Sequence, residues 1–172
     1  MKLSTHKLTI LALFTTIALG LYWVESLLPV PVPIPGIKLG LANIVTLIIL
    51  KNFSIREAFP VLMIRILITT FLFSQFISMF YSLVGGILCM LSMHLIHRLL
   101  KGHFLFLTGV FGALFHNLGQ LCVAMLLTSS LAPLTYLPFL ILSGIITGLF
   151  TGLCAHYAQK YLGRFLHSQS IQ

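Results

Sequence analysis

The 172-residue chain contains no aspartate and only two glutamates, Glu25 and Glu57, against ten Lys and Arg, for a formal charge of +8. With 59% hydrophobic residues, 7% charged residues and a mean hydropathy of +1.10, it is not a soluble domain but a polytopic helical membrane protein. The scarcity of carboxylates also excludes paired-acid catalysis, an Asp-rich magnesium–diphosphate motif and a carboxylate-braced triad.

The expected architecture is all-α, one integral membrane domain over residues 1–172. Lys2 and Lys7 before the apolar run at Leu8 resemble a signal peptide, but the run continues to Leu28 without a small-residue cleavage site. A retained first span is therefore expected. Spans are predicted over residues 8–28, 38–53, 55–73, 82–100, 104–127 and 136–159, the second of them short, with Ser74–Tyr81 interfacial. Cys89, Cys122 and Cys154 fall in apolar runs without ligand or disulfide spacing.

Six spans place Lys2, Lys7, Lys51, Arg56, Arg98, Lys101, Lys160 and Arg164 on one side. The positive-inside rule makes that side, with both termini, cytoplasmic in a plasma membrane. No basic cluster reaches the density of a nucleic-acid site, so the lipid bilayer and a small molecule are the expected partners.

Between spans 1 and 2 the chain reads Pro29-Val-Pro-Val-Pro-Ile-Pro35. Alternating proline favours a polyproline II strap, which over seven residues extends roughly 20 Å. It is either a stiff linker or a lid over the outer mouth of the bundle. Lys38 follows as the only cation on the outer side, suited to snorkelling or to holding an anion. Asn43, one turn further in, needs a polar partner from a neighbouring helix or from a substrate.

Arg65, nine residues into span 3, is a costly charge that calls for a cavity or a partner. Glu25 is a poor match in depth. Glu57 lies two turns below on a roughly similar face but closer to water, and carbonyl oxygens, Gln75 or a bound anion remain open as partners. His116, Asn117 and Gln120 share one face of span 5 and read either as helix-bracing groups or as a cavity wall, with Ser74, Gln75 and Ser78 as possible contributors. No second metal ligand accompanies His116, and neither a metal site nor a cofactor is expected. Ala12, Thr16 and Gly20 recur every four residues on span 1, allowing close approach by another helix of the bundle or of a separate protein.

The stretch Pro33-Ile-Pro35-Gly36-Ile-Lys38-Leu-Gly40-Leu-Ala-Asn43, followed by His116-Asn117-x-Gly119-Gln120, resembles the Gx transporter family. Its members are often labelled heptaprenyl diphosphate synthase component I. That family is in turn similar to the substrate-binding S components of energy-coupling-factor transporters. The resemblance implies a six-span bundle of S-component type with an outer-facing cavity closed by loop 1. It also implies a vitamin-like, isoprenoid or anionic substrate, and docking onto a transmembrane coupling protein driven by two ATPases.

On this reading Lys38, Asn43, Arg65, Gln75, His116, Asn117 and Gln120 are the substrate-binding candidates, Ala12, Thr16 and Gly20 the docking candidates, and no residue is catalytic. The alternative is a non-catalytic membrane subunit auxiliary to polyprenyl diphosphate or quinone biosynthesis. The chain has no Walker A motif, so it has no ATPase of its own to drive transport.

Overall fold

A computed structural model describes residues 5–27, 40–73 and 76–169, with side chains to Leu162. Six α-helices follow one another: α1 Thr5–Ser26, α2 Asn43–Asn52, α3 Ile55–Phe73, α4 Phe76–Leu99, α5 Leu105–Thr128 and α6 Leu137–Gln169. A 3-10 turn, Ala132–Tyr136, leads into α6, and no strand occurs among the described residues. Four stretches are long and apolar enough to cross a membrane: α1, α4, α5 and the segment Ala132–Leu162.

The centre of the bundle is its shortest helix. α2 has 10 residues, of which Asn43 to Leu50 are all buried. At 1.5 Å per residue it extends about 15 Å, half the thickness of a bilayer core. It packs against α1, α3, α4, α5 and α6. An all-apolar run such as Ile44-Val-Thr-Leu-Ile-Ile-Leu50 is stable only when surrounded, and the other five helices surround it. Leu47, Ile49, Leu62 and Met93 in this core are almost fully buried.

The outer surface is correspondingly apolar. Leu13, Phe71, Leu72, Phe76, Ile77 and Leu126 are all exposed, a surface suited to lipid and not to water. Phe76 and Ile77 belong to α4, so the stretch predicted as interfacial is helical from Phe76 onward. The apolar run supplies enough helix-forming residues for this longer α4.

Helix ends are tied by polar groups that the sequence reading left out. Ser54 and Glu57 form the carboxylate half of a capping box at the start of α3, the Glu57 carboxylate accepting the Ser54 N–H at 3.0 Å and also its hydroxyl proton, while Ser54 Oγ accepts the Arg56 N–H at 3.3 Å. Lys7 donates to the same carboxylate at 2.6 Å, joining α1 to α3. Asn52 and Gln159 exchange two amide hydrogen bonds of 2.8 Å, joining α2 to α6.

Candidate functional site

The start of α2 is where the buried polar groups gather. Gly40 has φ +84, a left-handed conformation that favours glycine. Space demands glycine as well: a Cβ there would stand 2.7 Å from Asn43 Nδ2 and 3.1 Å from His116 Cδ2. Bare backbone thus lies against the side chains of α2 and α5.

Glu25, near the end of α1, holds this segment. Its carboxylate is 2% exposed and accepts the N–H of Gly40 and, at 3.0 Å, the N–H of Leu41. These donors belong to the segment leading into α2, whose own first N–H groups return to Gly40 O and Leu41 O, and the helix dipole there also favours a negative charge. Glu25 also acts electrostatically on Arg65. Arg65 in turn acts on His116. The sequence reading set Glu25 aside as too shallow for Arg65. The fold brings the two within electrostatic reach, and the ends of α1 and α3 pack together where the Tyr22 and Phe73 rings lie 5.6 Å apart. The available signal was that Glu25 is the only acid in the outer half of the chain's helices.

Asn43, Arg65, His116, Asn117 and Gln120 are all buried, and Gln120 is 1% exposed. Gly85 of α4 closes the layer from the side. A Cβ on it would be 2.9 Å from His116 Nδ1 and 3.1 Å from Gln120 Cγ. Ser78, also on α4, is buried with no hydrogen-bond partner for its hydroxyl among the described residues. The buried threonines need none of this: Thr15, Thr69 and Thr70 return their hydroxyl protons to carbonyls of their own helices. Glu25, Asn43, Arg65, His116 and Gln120 thus form a polar layer inside an apolar bundle. They can offer a ligand donors, acceptors and a guanidinium, but no activated nucleophile.

Asn117 has a different role from its neighbours. Its amide donates across to α6, to Leu140 O at 2.8 Å and Ser143 Oγ at 3.4 Å. It also lines an apolar groove of about 270 Å³ between Leu114, Leu118, Leu137 and Ile141, away from His116. Asn117→Ala is expected to lower stability by about 0.5–2 kcal/mol, the range for interhelical polar contacts in membranes. Thermal unfolding in detergent checks it, and an unchanged midpoint would remove the bracing role.

Of the remaining candidates, Lys38, Gln75 and the strap Pro29–Pro35 lie outside the described residues. Ala12, Thr16 and Gly20 form an exposed line along α1, and a Cβ on Gly20 would meet nothing within 4 Å. No group of three His, Cys, Asp or Glu suited to a metal occurs among the described residues.

The family model for heptaprenyl diphosphate synthase component I matches residues 14–158, well over half of the 172 residues. The chain belongs to that family. No curated protein and no solved structure matches it. The part shared with the component I family contains Glu25, Asn43, Arg65, His116 and Gln120, and leaves Ala12 outside.

Proposed function

We propose that this component I family member is a membrane substrate-binding protein of the transport type, similar to an energy-coupling-factor S component. It crosses the plasma membrane six times with both termini cytoplasmic. It takes a small vitamin-like, isoprenoid or anionic molecule from the outer side and carries out no chemistry on it. The observation that supports this most is the polar layer around Gly40, where Glu25, Asn43 and His116 meet inside an apolar bundle with buried Arg65 within electrostatic reach. Buried ionisable groups in a membrane are costly and mark binding pathways more often than structure. The exposed line Ala12, Thr16, Gly20 is the surface offered to a coupling protein driven by two ATPases.

Orientation is tested by single cysteines in a Cys-free background. Ser54 and Ser168 positions are expected to be shielded from an impermeant external thiol reagent and Ser130 to react. External labelling at Ser54 would refute the six-span arrangement. Binding is tested by native mass spectrometry of gently extracted protein. A retained small molecule, lost in Asn43→Ala and in Gln120→Ala with the fold intact, is the expected result.

The family's description supports a second reading, a non-catalytic membrane subunit serving a heptaprenyl diphosphate synthase. The lack of aspartate argues against synthase chemistry in this chain itself. Co-purification separates the two. A coupling protein with ATPases favours transport, whereas a soluble prenyltransferase without bound ligand favours the auxiliary role. Magnesium-dependent chain elongation by the purified chain alone would defeat both.

A further inference from the structure

The far end of α2 carries a second polar group that the candidate site leaves unused. Lys51 closes the helix, and its ammonium donates to the carbonyl of Gly102 in the α4–α5 turn at 3.0 Å. The turn reaches that position because Lys101 and Gly102 take left-handed backbone, φ 48 and 74, while the Gly102 N–H returns to His97 O at 2.9 Å. A Cβ on Gly102 would stand 3.0 Å from Lys51 Nζ and 3.1 Å from the His97 ring, so ammonium, imidazole and turn backbone are in contact. Lys51 and His94 both act on His97, and Arg98 acts on His94. Arg98, Lys101 and His103 are exposed around them.

No carboxylate balances this cluster. The chain has two, and Glu57 is engaged by Lys7 and Ser54 while Glu25 serves the opposite end of α2. Lys51 has three N–H donors and gives one to Gly102. His97 leaves Nδ1 buried without a hydrogen-bond partner among the described residues. Beside the cations, Leu99 and Phe104 are 68% and 46% exposed. Orientation by charge accounts for basic residues at this end. It does not account for Lys51 being fixed beneath a strained turn with its remaining donors uncommitted.

We propose that Lys51, His97, Arg98 and Lys101 form a phosphate-binding site at the α4–α5 turn, distinct from the layer around Gly40. N–H donors gathered on one turn suit phosphate oxygens, and a guanidinium such as that of Arg98 can bind them in bidentate fashion. A phosphate arriving on an acyl chain, the headgroup of an anionic phospholipid, also finds the apolar surface of Leu99 and Phe104. A free diphosphate presents the same oxygens without the chain.

The test is thermal unfolding of the full chain in neutral detergent. It is titrated with short-chain phosphatidylglycerol, with phosphatidylcholine of the same chains, or with sodium pyrophosphate. Phosphatidylglycerol is expected to raise the midpoint above phosphatidylcholine. Arg98→Gln and Lys101→Gln should each weaken that apparent affinity about fivefold, the effect of one cation near a membrane surface. Arg56→Gln, at the same end but on the α2–α3 turn, should leave it unchanged. Stabilisation by pyrophosphate that is lost in the same two variants equally supports the site and assigns it to a free anion. Equal losses for Arg56, Arg98 and Lys101, or no preference for phosphatidylglycerol together with no pyrophosphate effect, overturn the proposal. Lys51→Gln also removes the tie to Gly102, so the two exposed variants decide if it fails to fold.

Discussion

Glu25→Ala is expected to be among the most destabilising single changes in the chain, costing about 3–5 kcal/mol. Two buried donors left without their acceptor, at about 1–3 kcal/mol each, reach that range. Two effects add. The N–H groups of Gly40 and Leu41 lose their acceptor in a place where replacement by water is difficult. Arg65, 5% exposed, loses a charge that acts on it. Glu25→Gln keeps one acceptor oxygen but sets an amide N–H₂ against donors, and a loss of about 1–3 kcal/mol is expected, as for an unsatisfied buried group. The double variant Glu25→Gln, Arg65→Met should be more stable than the sum of its parts, because the uncompensated guanidinium is gone. Unfolding midpoints in detergent check the order Ala below Gln below wild type. A Glu25→Ala midpoint equal to that of wild type would leave the polar layer without its anchor.

The role of Glu25 shows where sequence reading stops. Helix number and order were legible, the bounds less so. Span 3 was expected over residues 55–73 and α3 is Ile55–Phe73, and α5 and the start of α6 agree to within a residue, but α2 starts at Asn43 instead of 38, α4 at Phe76 instead of 82, and α6 runs to Gln169 instead of 159. Apolar runs bounded by Lys, Gly and Pro encode that much directly. Gly85, Gly86, Gly144, Gly148 and Gly152 each sit where a Cβ would come within 3.1 Å of another helix, so they serve close packing within the bundle. Depth was not legible. Counting residues from a helix end assumes that every helix is as long as the slab is thick, and α2, with ten residues, has about half that length. The fold brings Glu25 and Arg65, which the count had kept apart, within electrostatic reach. The division of labour on α5 was hidden for a related reason. His116, Asn117 and Gln120 share a broad face, but only the positions of α4 and α6 decide that Asn117 turns to Leu140 and His116 to Gly85. The capping box at Ser54 and Glu57 was readable from its Ser-x-x-Glu spacing alone.

The other large effect is expected where α5 and α6 touch backbone to backbone. A Cβ on Gly152 would lie 2.3 Å from Phe106 Cα, one on Gly148 2.4 Å from Val110 Cα, and one on Gly109 2.4 Å from Gly148 O. Backbone cannot swing aside as a side-chain tip can, so a methyl group must push the helices apart along the whole crossing. In lipid this is especially damaging, because helix association there rests on close packing and gains little from burial of apolar surface. Gly152→Ala is expected to cost about 1–3 kcal/mol, as overpacking does in well-packed cores. Gly148→Ala with Gly152→Ala should lower the yield of folded protein further. Gly86→Ala is the internal control: its Cβ would meet side-chain tips alone, Leu62 at 3.0 Å, which can rotate away, and Ile66 at an ordinary 3.7 Å. Gly20→Leu is the external control, since a Cβ at Gly20 meets nothing. It should fold normally, yet abolish capture of a coupling protein if the Ala12, Thr16, Gly20 line of α1 is the docking face. Unfolding midpoints for the first three variants and co-purification for the fourth give the readout. A Gly152→Ala protein as stable as wild type would mean that α5 and α6 do not approach as closely as their glycines require.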